Sequence, residues 1–204
     1  MNYDNKRIAG LLIFVGTVQF VLAVVISEAV YSGYSVGQQQ MSDLGDWSLA
    51  GNYAAIFNVS VILWGLFIIA GAYFIQRGFK NRLFPSLLVI SGIGWVGIGV
   101  FALNISLPVH LLSAQFAGAF GLASVFMSYK FEKSPLSYVS VILGAVTILA
   151  IVLSMSGQIN SGFYLGLGLG GMQRFMIYPL LLWMLGFGAY LIGDSSDTTL
   201  TSKA

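Results

Sequence analysis

Few side chains in this sequence are able to carry chemistry: Glu28, Asp43, Asp46, His110, Gln173 and Arg174, with the hydroxyls of Ser42 and Ser113 close by in the chain. An imidazole and a guanidinium together attract an anion, and neighbouring carboxylates orient both. A hydrolytic zinc needs three protein ligands, most often histidines, and a bound water. Glu28, Asp43, Asp46 and His110 offer one nitrogen and some oxygens, since the chain has a single histidine. A Ser/His/Asp hydrolase built from His110, Asp43 and Ser42 or Ser113 has every residue type it needs. No nucleophile-elbow sequence surrounds either serine. We therefore assign no catalytic residue, metal or cofactor, and expect these six residues to form a ligand-binding set.

The elements that must position them follow from composition. Of 204 residues 57% are hydrophobic and 8% charged, and the mean hydropathy is +0.87. A water-soluble surface cannot be assembled from such a chain, so the bilayer is its solvent. The length suits one bundle of about six spans of ~20 residues. The net charge of +2 comes from Lys and Arg spread over connectors rather than gathered in a patch, which excludes a nucleic-acid partner. With no cysteine, disulfides, thiolate metal sites and a cysteine nucleophile are excluded.

The expected architecture is all-α: a polytopic six-helix bundle in a single domain over residues 1–193, with spans at about 8–28, 54–76, 84–103, 108–129, 136–156 and 172–192 and a polar tail over 194–204. The first apolar run is longer than a signal-peptide core and lacks a clear cleavage site, so it is read as a span. Its Gln19 and Glu28 need polar partners. The connector from Val30 to Tyr53 is the longest, with Tyr31, Tyr34 and Trp47 placed as interfacial aromatics and Ser42 or Asp43 able to cap a short helix. Glycines 92, 94, 97 and 99 make a smooth stripe on the third span, and Ala114/Gly118 and Ala117/Gly121 are small-residue pairs on the fourth. A connector of four residues, Asn104 to Leu107, makes those two spans antiparallel neighbours.

Lys6 and Arg7, the Arg77–Arg82 cluster and the Lys130/Lys133 pair alternate with connectors nearly free of positive charge. The positive-inside rule then puts both termini in the cytoplasm. Arg174 is the exception. It falls on the outer side with Glu28, Asp43, Asp46, His110 and Gln173, where helix N-termini of the second, fourth and sixth spans add partial positive charge.

Other patterns fail their context. Gly166, Gly168 and Gly171 spell GxGxxG without a preceding strand. The pentamer VSVIL at 59–63 and 139–143 hints at an inverted repeat, but neighbouring spans do not align at the same offset. No charged residue lies at mid-membrane, as a proton-coupled transporter needs. Asn58 and Asn104 match the glycosylation pattern, one within a span and one against the membrane.

The order SDLG (Ser42–Gly45), FNVS with a following Gly65, a glycine-rich third span ending in FALN, PVH (Pro108–His110) and QR (Gln173, Arg174) resembles the domain of unknown function 998 family of prokaryotic integral membrane proteins. The likeness runs from about Ile8 to Ile192. It implies six membrane helices and no assigned activity. The family pattern often has an acid near the end of the third span, where this chain has Asn104. A more distant likeness, to ceramidase and progestin-receptor-type membrane hydrolases, implies several zinc-bound histidines, and this chain has one.

We expect a multi-pass protein of the cell membrane, in contact with the lipid bilayer, whose polar outer-leaflet pocket takes a lipid head group or small anionic ligand. His110 and Arg174 would hold negative charge, and Asp43, Asp46 and Glu28 would orient them. The alternative is a non-catalytic subunit of a larger membrane assembly or a homo-oligomer, using the glycine stripe as a packing face. A metal-dependent lipid hydrolase ranks third.

Overall fold

The computed structural model describes residues 3–77 and 82–193. The polar tail expected after residue 193 and the Lys80 part of the basic cluster lie outside the described residues. The helices are α1 (Tyr3–Val30), α2 (Trp47–Ala50), α3 (Ala54–Gln76), α4 (Leu83–Val100), α5 (Leu107–Ser128), α6 (Leu136–Gly157) and α7 (Gly168–Gly193). Short 3-10 turns cover Met41–Gly45, Gly51–Tyr53 and Ser161–Tyr164, and there is no strand among the described residues.

Long apolar runs become helices here because hydrocarbon offers the backbone no hydrogen bonds, and a helix satisfies its own. Among the described residues six helices are long and apolar enough to cross a membrane. The fold is thus an all-α, multi-pass membrane bundle. Leu22, Ile93, Ile142 and Leu182 are each more than half exposed, the outward face that lipid covers.

Around the bundle the helices run α5, α4, α3, α1, α7, α6. The ring closes loosely, since α5 meets α6 sparingly and α7 hardly at all. Elsewhere glycine sets the spacing. A Cβ on Gly65 would stand 2.5 Å from the Gly92 carbonyl oxygen, and one on Gly94 would stand 2.4 Å from the Ala117 nitrogen. The glycine stripe of α4 is therefore spent inside the bundle, against α3 on one side and α5 on the other.

Indole and amide groups stitch the core. Phe20 stacks on Trp64 at 4.5 Å between centroids, and Trp64 lies 4.4 Å from Trp95. The Trp64 indole donates to Thr17 Oγ1 at 3.1 Å, and Gln19 Nε2 donates to the Ser60 carbonyl at 2.9 Å. Gln19 thus joins α1 to α3. Pro179 stands inside α7, where it removes one backbone bond and lets the helix bend.

Gly94→Ala is expected to lose about 1–3 kcal/mol through overpacking, read by equilibrium unfolding in mixed micelles. Gly118→Ala, with nothing within 4 Å of its Cβ position, should lose nothing. Equal losses at the two positions would contradict the packing described.

Candidate functional site

One end of the bundle carries the long connector from Tyr31 to Asp46, and Arg174 holds that connector in place. Because α7 begins at Gly168, Arg174 lies in its second turn, only 5% exposed. Its Nε donates to Glu28 Oε1 at 3.0 Å, and its Nη2 donates to the same oxygen at 2.5 Å and to the Tyr34 hydroxyl at 2.6 Å. Nη1 donates to the carbonyls of Gly170 at 2.9 Å, Val36 at 3.1 Å and Gln39 at 3.3 Å. All five guanidinium N–H groups thus have protein acceptors, and Glu28 balances the charge.

The close approach needs a glycine. A Cβ on Gly170 would lie 1.9 Å from the Gln39 carbonyl oxygen and 2.5 Å from that of Val36. Gly170 N–H in turn donates to the Gly37 carbonyl at 2.9 Å. The Tyr34 hydroxyl, whose pKa burial pushes up, donates to the Gln40 carbonyl at 2.8 Å.

The two aspartates serve the backbone beside them. Asp43 Oδ2 accepts the Gln40 N–H at 2.8 Å. Burial raises the pKa of Asp43, with Asp46 adding to the effect and Gln40 and Arg174 opposing it. Asp46 caps α2, its Oδ1 accepting Ser48 N–H at 2.8 Å and Ser48 Oγ–H at 2.5 Å. Asn58 Nδ2 donates to the Gly45 carbonyl at 2.9 Å and fixes the turn on α3. Its buried Oδ1 has no hydrogen-bond partner among the described residues and faces the Gly45 backbone, where a Cβ would stand 2.4 Å away.

Beneath this connector lies a cavity of about 150 Å³. Phe20, Phe57, Trp95 and Ile98 line its back, and Ala114, Gly118, Thr147, Ile151, Met176 and Leu180 line the side where α5 and α7 part. Ser42, His110 and Gln173 line it from the connector end. None of the lining residues carries a formal charge, and Arg174, Glu28, Asp43 and Asp46 are not among them.

The three polar residues have unused capacity. His110 Nδ1 lies 2.9 Å from the Phe101 carbonyl oxygen. A carbonyl only accepts, so Nδ1 carries a proton, and Nε2 is left without a protein partner among the described residues. Gln173 Oε1 accepts the Met41 N–H at 2.5 Å, leaving its NH2 without an acceptor among the described residues. The Ser42 hydroxyl likewise has no partner there.

The structure thus divides the six expected residues into three pairs. Glu28 and Arg174 meet each other, Asp43 and Asp46 cap turns, and His110 and Gln173 reach the cavity. His110 and Arg174 do not meet in the cavity: the guanidinium is taken up by protein acceptors and is not among the lining residues. No three histidine or acidic side chains gather as a metal site among the described residues. In the sequence Ser42 reads as a possible cap or nucleophile, and Tyr34 only as an interfacial aromatic. The apolar lining left no signal in a chain this hydrophobic.

Together these features define a six-span α-helical membrane protein with an uncharged internal chamber near one end. The chain belongs to the DUF998 family of proteins of unknown function, whose model matches residues 14–190. No curated protein and no solved structure matches it.

Arg174→Ala should destabilise the protein by about 3–5 kcal/mol, the size expected when one partner of a buried ion pair is removed. Arg174→Lys should recover only part of this, since an ammonium cannot serve five acceptors in a planar fork. Thermal unfolding in detergent reads both. An alanine variant as stable as the parent would contradict the clamp.

Proposed function

We propose that this protein binds the apolar chain of a neutral amphiphile, with a hydroxyl or carbonyl head group held at Ser42, His110 and Gln173. The single observation that carries the reading is the chamber itself: apolar walls without formal charge, closed at one end by three groups with unused hydrogen-bonding capacity. Gln173 offers a donor, His110 Nε2 an acceptor when the imidazole is neutral, and Ser42 either. A phosphate or carboxylate would find no cation there, and burying an unpaired charge is costly.

The volume matches a cavity large enough for benzene, so it takes a short stretch of chain rather than a whole lipid. Chains would enter where α5 and α7 part. Lys6, Arg7, Arg77, Arg82, Lys130 and Lys133 belong to the opposite end of the bundle, which by the positive-inside rule favours the cytoplasm for that end and the outer leaflet for the chamber. On this reading the protein works in the cell membrane as a lipid-binding protein, and the Arg174–Glu28 pair supports the site without touching the ligand.

A long-chain alcohol bearing a photoreactive diazirine tests this in nanodiscs. Labelling should concentrate on α5 and α7 between His110 and Gly118 and between Gln173 and Leu180. Gly118→Phe, which fills the chamber, should remove most of it. Labelling spread over the lipid-facing sides and unchanged in Gly118→Phe would refute the proposal.

A further inference from the structure

At the basic end of the bundle, away from the chamber, an open groove runs between the end of α3 and the start of α4. Ile69, Tyr73 and Gln76 of α3 form one wall, and Ser86, Val89 and Ile90 of α4 form the other. The groove holds about 560 Å³, within the range of roughly 300–1,000 Å³ found for sites that take a small molecule.

Glycine contacts fix where it ends. A Cβ on Gly92 would stand 2.8 Å from the Gly65 carbonyl oxygen and 2.7 Å from Ile69 Cγ1, so the two helices touch there and Ile69 closes the deep end. Beyond Ile69 the facing positions carry side chains, the exposed Tyr73 and Ser86 among them, and the gap opens outward. From Ile69 to Gln76 the helix rises about 10 Å at 1.5 Å per residue. That is roughly two-thirds of the hydrocarbon depth of one leaflet.

Two arginines stand at the mouth. Arg77 ends α3 with its guanidinium carbon 4.7 Å from the centre of the Tyr73 ring, a cation–π contact that consumes none of its hydrogen-bonding capacity. Arg82 begins α4, and its carbonyl accepts the Ser86 hydroxyl at 2.8 Å. Both side chains are exposed. Neither has an acidic partner among the described residues, and the chain has no Asp or Glu between Asp46 and Glu132. Apolar walls under unmatched positive charge complement an acyl chain under an anionic head.

We propose that this groove binds one acyl chain of an anionic phospholipid, with its phosphate at Arg77 and Arg82 and its chain laid past Tyr73 and Val89 towards Ile69. A zwitterionic lipid brings the same chain, but its own ammonium offsets the phosphate. A soluble phosphate brings the charge without the chain. The groove is separate from the chamber and does not rest on the neutral-amphiphile reading.

Native mass spectrometry of the full chain in micelles, titrated with phosphatidylglycerol or phosphatidylcholine, tests this. The parent should retain one phosphatidylglycerol more tightly than phosphatidylcholine. Arg77→Gln/Arg82→Gln should weaken phosphatidylglycerol by about tenfold to thirtyfold, the effect of two arginines acting on an anionic lipid, and leave phosphatidylcholine unchanged. Ser86→Phe fills the groove and keeps both charges, and it should lose the retained lipid.

Equal retention of the two lipids by the parent would overturn the proposal, as would full retention of phosphatidylglycerol by either variant. A further measurement needs no variant and so survives a failure of either to fold. Glycerophosphoglycerol, the same head group without chains, should not displace the lipid from the parent at equal concentration. Displacement would give the arginines to a soluble anion and overturn the lipid site.

Discussion

The pairing of Arg174 with Glu28 is the interaction on which the connector end of the bundle depends. It joins the last helix to the first across 146 positions of sequence. The same guanidinium then gathers the carbonyls of Val36 and Gln39 and the hydroxyl of Tyr34. An arginine this deep is tolerated only because every donor is used and the charge is matched. In return the connector, otherwise polar and glycine-rich, becomes a fixed lid. Met41 and Ser42 of the connector are held over the chamber in this way, and Met41 is tied to Gln173 of α7.

That arrangement explains why the chamber is uncharged although charged residues surround it. Asp43 and Asp46 are turned to the backbone of their own turns, and Glu28 is turned to Arg174. Polar capacity is left over only at Ser42, His110 and Gln173. The other end of the bundle shows the converse. There an acid, Glu132, is buried beside the hydroxyls of Ser128 and Ser140 and the Trp183 indole.

The fold was legible because hydrophobic runs of membrane length leave the chain no other regular structure, and because glycines 92, 94, 97 and 99 announced close helix packing. Charge placement also brought Glu28, Asp43, Asp46, His110, Gln173 and Arg174 to one end. What it did not reveal was pairing. In sequence Arg174 reads as an unmatched cation, whereas in three dimensions Gly170 admits two carbonyls to it and Glu28 completes the set. Nor could Phe20, Trp95, Thr147 or Ile151 be told from any other core residue, since lining a cavity and filling a core call for the same side chains. Glu132 read as one more charge in a basic loop, because burial by a folded-back connector has no periodic signature.

The central claim is that Arg174 is structural and that the neighbouring chamber takes a neutral chain. An experimental structure in native-lipid nanodiscs, at a resolution that shows side chains, tests it most directly. The account predicts elongated density in the chamber, its polar end against Ser42, His110 and Gln173, with Arg174 still bound to Glu28. Compact density of an anion against Arg174, with the Glu28 pair opened, would contradict it.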